Sequence, residues 1–69
     1  MGNIFQVFGN NVKKRRKELG LSQEELAYMI GRDARTIRLI EAGNSNPTMK
    51  TIYKLVKALK VSSSKILSF

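Results

Sequence analysis

Residues 23–43 read QEELAYMIGRDARTIRLIEAG, a stretch that predicts two short helices joined by a tight turn at Gly31. Ser22 can accept from the backbone N–H of Glu25 while the Glu25 carboxylate reaches back to the N–H of Ser22, a capping box that begins the first helix. Gly31 ends this helix, because glycine adopts the left-handed conformation without a Cβ clash. Asp33 is expected to cap the second helix. So few residues lie between the two helices that they must cross at a steep angle.

The second of these helices has two different sides. At about 100° per residue, Ile37 and Ile40 fall together on the side that we expect to face the core. The opposite side carries Ala34, Arg35, Arg38 and Leu39. A guanidinium group can bond to both O6 and N7 of guanine, and alanine or leucine can contact the methyl group of thymine. These four residues are therefore predicted to read bases in a DNA major groove.

An earlier helix is expected over residues 8–19, because Phe8, Val12 and Leu19 fall on one stripe of a helical wheel. The rest of its surface holds the basic run KKRRK at residues 13–17. This run is either a surface for a phosphate backbone or a solvated face. Arg16 differs from its neighbours, since it borders the apolar stripe and is expected to be partly buried.

A later helix is expected after the loop GNSNP at residues 43–47, where Pro47 opposes continuation of the preceding helix. Thr48 is its predicted N-cap. Apolar residues then recur at helical spacing, and they are predicted to form one buried face: Met49, Ile52, Tyr53, Val56 and Leu59.

The motif residues resemble, in combination, the helix-turn-helix of the phage-repressor and Xre family of bacterial regulators. They are Ser22-Gln23, Leu26-Ala27, Gly31, Thr36-Ile37, and Ile40-Glu41 followed by Gly43. With its flanks, the resemblance covers residues 8–67. It implies an all-α, compact five-helix bundle of the lambda-repressor type, with the helix-turn-helix at helices two and three and a last short turn or helix over residues 63–69.

The same resemblance implies roles for individual residues. Arg16 and Glu41 are expected to form a structural salt bridge that locks the first helix to the recognition helix. Gln23 and the asparagines of the loop are expected to contact DNA phosphates. The full set of predicted phosphate contacts is Gln23, Arg32, Thr36, Asn44, Asn46 and Lys50. Arg32 departs from the family pattern, and its exposed position in the turn is equally consistent with no contact.

The sequence allows more than one interpretation of each terminal segment. Residues 1–7 form either an arm or an extra first turn. They could reach along DNA or across a dimer, or they could be a frayed end whose Ile4 and Phe5 cover the core. Three apolar residues near the other end, Ile66, Leu67 and Phe69, are predicted to form a dimer interface within residues 62–69; the alternative is that they fold back onto the core. A two-fold homodimer would place two recognition helices about 34 Å apart, one turn of DNA.

Composition narrows the class of protein. The 69 residues allow a single domain spanning 1–69. Thirteen Lys plus Arg against five Asp plus Glu give a net charge of +8, for which a polyanion is the expected partner. The chain has no cysteine or histidine, so we expect no metal and no cofactor; no small-molecule effector is evident. Neither a signal peptide nor a membrane span is recognisable, and a cytoplasmic protein is expected.

The sequence therefore predicts a regulator that binds double-stranded DNA at a specific site, of the kind found among restriction-modification controller proteins or small phage repressors. The alternative is a protein-interaction module or antitoxin-type partner that uses the same fold. An enzyme is not expected, because there is no His or Cys and the chain is too short to build a cleft. RNA is less suitable than DNA, because its major groove is too deep and narrow for a helix.

Overall fold

The computed structural model describes residues 3–61, and the regular secondary structure of these residues is entirely helical. The helices are α1 (Ile4–Glu18), α2 (Gln23–Met29), α3 (Ala34–Glu41) and α4 (Met49–Ala58). The predicted all-helical fold with a helix-turn-helix at α2 and α3 is confirmed. The predicted count of five is not supported, because the described residues form four helices and the segment expected to form the fifth, residues 63–69, lies outside them.

Each helix begins at a polar side chain that accepts a backbone N–H three residues ahead. These N-caps are Asn3, Ser22, Asp33 and Thr48. The capping box of Ser22 and Glu25 is confirmed, with N–H to oxygen distances of 2.9 and 2.8 Å. Asn3 starts α1 well before Phe8, so residues 4–7 form the extra first turn rather than an arm.

The core lies where the four helices meet, and its fully buried members all come from apolar positions. They are Phe8, Val12, Leu26, Ala27, Ile30, Ile37, Ile40, Leu55 and Leu59. Burying one large aliphatic side chain contributes roughly 1.5–3 kcal/mol. Ile37 and Ile40 supply the inner side of α3, as its pattern predicts, so this core fixes which side of α3 faces outward.

The predicted buried face of α4 is wrong at two positions. Met49 is 75% exposed and Tyr53 is 61% exposed, whereas Thr51, Leu55 and Leu59 are buried. Thr51 can turn inward because its hydroxyl pairs with that of Thr48 at 3.1 Å. The predicted face left out Thr51 and also Leu55, which is apolar and fully buried, so it gives the helix the wrong rotation.

A close approach between α1 and α3 occurs at Gly9. A Cβ atom on this residue would collide with the carbonyl oxygen of Ile40 and would lie 3.0 Å from that of Glu41. Only a glycine lets the backbones of the two helices come this near. The close packing of α3 against α1 therefore requires glycine at position 9.

Candidate nucleic-acid interface

The outer side of α3 is open. Arg35, Arg38 and Leu39 are exposed and Ala34 is half-buried, while Ile37 and Ile40 on the other side are buried. Neither arginine side chain is bonded to another residue within the described range, so the hydrogen-bond donors of both are available to a ligand. The structure therefore gathers the four predicted base-reading residues on one side of one helix. Their contacts with bases stay predictions.

The turn before α3 sets the start of this helix. Gly31 has a φ of +72°, and the backbone N–H of Arg32 donates to the carbonyl of Ala27 at 2.9 Å. Ala27 is 2% exposed, so the two helices of the motif meet tightly at this position. Arg32 itself is exposed, which leaves its predicted phosphate contact open.

The N-cap of α3 uses both donors of Thr36. Asp33 Oδ1 accepts from the Thr36 amide at 3.0 Å and from its hydroxyl at 2.8 Å. These two hydrogen bonds, with a smaller contribution from the charge of Arg32, lower the pKa of the Asp33 carboxyl group. The single hydroxyl proton of Thr36 is thus engaged, and the residue would have to release Asp33 in order to donate to a phosphate.

A buried ion pair lies behind α3. Arg16 Nε donates to Glu41 Oε2 at 2.7 Å, Arg16 Nη2 donates to Glu41 Oε1 at 3.1 Å, and Arg16 Nη1 donates to the carbonyl of Leu21 at 2.8 Å. Arg16 is 8% exposed and Glu41 is 6% exposed. The bonds to Glu41 raise the pKa of Arg16, although burial acts in the opposite direction. The pair joins α1 directly to the last turn of α3.

Gln23 belongs to the same group of side chains. This residue is half-buried in the first turn of α2, and its Nε2 donates to Glu41 Oε1 at 3.1 Å. The structure therefore brings Gln23 together with Arg16 and Glu41. Its predicted contact with a phosphate remains a prediction.

The loop after α3 places its two asparagines near solvent. The backbone N–H of Asn44 donates to the carbonyl of Leu39 at 2.9 Å, which closes the end of α3. The side chains of Asn44 and Asn46 are bonded to no other residue between positions 3 and 61, and Lys50 is exposed in the first turn of α4. The geometry leaves all three available for the phosphate contacts predicted for them.

Two residues with structural roles are not singled out by the sequence pattern. Arg15 lies in the basic run, yet its Nε donates to the carbonyl of Leu59 at 2.9 Å and so ties α1 to the end of α4. Gly9 has no sequence signal beyond being a glycine inside a helix. The predicted dimer residues Ile66, Leu67 and Phe69 lie outside the described residues.

Comparison with known proteins places this arrangement in a family. The HTH_3 helix-turn-helix model matches residues 12–66. The chain belongs to the HTH_3 helix-turn-helix family. The resemblance that the motif residues carry is thus confirmed, and the family match includes both helices of the motif and the residues of the Arg16–Glu41 pair.

Relatives of this HTH_3 protein include regulators and controller proteins. An uncharacterized HTH-type transcriptional regulator of Sinorhizobium fredii, y4dJ, is 37% identical over 60 residues, which cover 87% of this chain and 78% of that protein. Control protein C.SmaI of Serratia marcescens is 35% identical over 66 residues, 96% of this chain and 79% of that protein.

Solved structures of restriction-modification controller proteins have a similar fold. The restriction-modification controller protein C.AhdI from Aeromonas hydrophila superposes with a TM-score of 0.86 and 32% identity, over 90% of this chain and 94% of that chain. Wild-type controller protein C.Esp1396I has a TM-score of 0.84 at 32% identity, over 96% of this chain and 86% of that chain.

Among residues 3–61, no helix of this HTH_3 protein combines the length and hydropathy needed to cross a bilayer.

Proposed function

We propose that this protein is a transcriptional regulator that binds a specific site on double-stranded DNA through α3. The observation that carries the proposal is the two-sided character of α3. Ile37 and Ile40 are buried against the bundle, and Arg35 and Arg38 are exposed with no partner among the described residues. A helix held by one side and offering guanidinium groups on the other fits the width and hydrogen-bonding pattern of the major groove.

The charge of the protein supports the same proposal. A net charge of +8 favours association with a polyanion, and an affinity built on phosphate contacts falls as salt displaces them. Arg32, Asn44, Asn46 and Lys50 all lie at least partly exposed around the turn and the loop that flank α3. We assign them, with Gln23 and Thr36, to the phosphate backbone. In this position they would hold α3 in register while Ala34, Arg35, Arg38 and Leu39 read bases.

We further infer that the protein is a regulator of the controller type that acts in the cytoplasm as a homodimer. The control protein C.SmaI and the restriction-modification controller protein C.Esp1396I each match 96% of this chain, which supports this assignment. We assign the dimer contact to Ile66, Leu67 and Phe69. Two copies joined by a two-fold axis read an inverted repeat whose half-sites lie about one helical turn apart.

Selection of bound sequences from a random duplex pool tests the function directly. An inverted repeat with half-sites one turn apart is expected, and its affinity should fall steeply between two salt concentrations. Recovery of a single half-site would refute the homodimer but not the DNA-binding function. No enrichment of any sequence would overturn the proposal of specific recognition.

One observation favours a second function, a protein-binding module. Tyr28 is 84% exposed, Met29 is 49% exposed, and both line a groove between α2 and α4 that also includes Tyr53. Capture of a protein that stays bound after nuclease treatment and in high salt would support this alternative. Loss of all captured material under the same conditions would reject it.

A further inference from the structure

The carboxylate of Glu41 is shared by side chains from two other helices. One oxygen, Oε2, accepts from Arg16, while Oε1 accepts from both Arg16 and Gln23. Arg16 lies on α1, Gln23 on α2 and Glu41 at the end of α3. One buried acceptor therefore links the three helices that carry and support the predicted DNA surface.

The Glu41 carboxylate determines the orientation of the Gln23 side-chain amide. An ionised carboxylate can only accept hydrogen bonds, so the NH2 end of the amide must face Glu41; the carbonyl end would be repelled. Such an amide carries two N–H groups, and only one of them is used at Glu41. The second has no partner within residues 3–61, and Gln23 is half-exposed, so this donor is accessible to a ligand.

We propose that Glu41 is a positioning residue for DNA binding, which holds the Gln23 amide so that its second N–H is presented to a phosphate oxygen. The inference rests on the proposed function, because it assigns this amide to the DNA backbone. Glu41 is buried, so it does not contact DNA itself, and the effect proposed for it passes through Gln23. Without the Glu41 carboxylate, the Gln23 side chain should therefore contribute less to DNA affinity.

A comparison of two backgrounds tests this coupling. Gln23→Ala is made in the native protein and in Arg16→Met/Glu41→Gln, where no buried charge is left unpaired. The amide that replaces the Glu41 carboxylate in that background can face either end of the Gln23 amide, so the orientation is no longer imposed. Binding of each full-length variant to a random-sequence duplex is measured at one salt concentration and corrected for the folded fraction measured by circular dichroism.

Gln23→Ala should weaken binding about three- to tenfold in the native background, as expected for one hydrogen bond, and less than about twofold in the uncharged background. The salt dependence should be the same with and without Gln23, because a neutral amide displaces no counterion. Equal losses in the two backgrounds would overturn the role of Glu41 while leaving the DNA-binding function intact. Failure of the native protein to bind any duplex would instead overturn the proposed function.

A second measurement, made on the native protein, does not depend on how the variants of the buried ion pair fold. The chain has two glutamines, Gln6 and Gln23, so glutamine-specific ¹⁵N labelling gives two side-chain NH2 groups. Gln23→Ala identifies which signals belong to which residue. On addition of the duplex, one Gln23 proton should shift strongly while the proton bonded to Glu41 stays slow to exchange. If neither Gln23 side-chain proton changes its chemical shift in the bound protein, the proposal is overturned.

Discussion

Arg16 and Arg38 are the same type of residue, yet they meet opposite surroundings on the two sides of α3. Arg16 is 8% exposed, and its guanidinium group donates to Glu41 and to the carbonyl of Leu21. Arg38 is exposed, and within residues 3–61 its guanidinium group has no bonded partner. The difference teaches that arginine stabilises the fold where the protein satisfies its donors and is free for recognition where it does not. The predictions below test that separation.

Replacing the buried arginine should have the largest effect. Arg16→Met leaves Glu41 as a buried charge without its partner, and we expect the free energy of unfolding to fall by about 3–5 kcal/mol. The matched substitution Arg38→Met, on the exposed side, should change it by no more than about 0.5 kcal/mol. Urea denaturation of both variants makes the comparison. Similar losses at the two positions would show that the two sides of α3 are not separate.

The close approach at Gly9 should be the next most sensitive point. Gly9→Ala places a methyl group against the backbone carbonyl of Ile40, which cannot move without displacing α3. We expect a loss of about 3 kcal/mol, despite the better helix propensity of alanine. Lys13→Ala, at an exposed position of the same helix, is the control and should stay within about 0.5 kcal/mol. Thermal or urea unfolding measures both, and tolerance of Gly9→Ala would argue against the close contact.

Removing the exposed arginines should change recognition and leave the fold alone. Arg35→Ala and Arg38→Ala should each reduce discrimination between the selected DNA site and a site with one base pair changed by about 1–3 kcal/mol. Unfolding midpoints should match the native protein. Lys54→Ala, on the exposed side of α4, is the charge-matched control and should leave site preference unchanged. Uniform loss of affinity for all sequences would mean that neither arginine reads bases.

The cap of α3 gives the smallest expected effect, which appears only in acid. The pKa of Asp33 is lowered in the folded state by hydrogen bonds from Thr36, so its stabilisation is present above the unfolded pKa of about 4 and is lost as the pH falls through the lower folded value. Asparagine caps a helix nearly as well but does not titrate. Asp33→Asn should therefore lose less stability than the native protein below about pH 4. Urea midpoints across this pH range provide the measurement, and identical profiles would contradict the assignment.

Local signals in the sequence predict most of the motif. The capping box of Ser22 and Glu25, the turn at Gly31 and the cap at Asp33 each depend on residues within a few positions of one another. The two sides of α3 also follow from spacing alone. For these reasons the position of the predicted base-reading face could be inferred before the structure was known.

Features that depend on distant residues could not be inferred in the same way. Gly9 matters because of where α3 lies, and no pattern within α1 reveals this contact. Met49 and Tyr53 are apolar yet exposed, because Leu55 and Leu59 are the α4 residues that join the core shared with the other helices, and this packing sets the rotation of α4. The bond from Gln23 to Glu41 joins residues eighteen positions apart, so only the folded chain shows that the two share one carboxylate.

The sharing of Glu41 by α1, α2 and α3 also bears on how the protein opens. None of the three helices can separate from the others without breaking a bond to this carboxylate, so fraying of a single helix is opposed. Amide hydrogens of α3 should then exchange with solvent mainly through global unfolding. A recognition surface that stays ordered in the free protein loses little conformational entropy when it docks, and more of its contact energy is left for affinity.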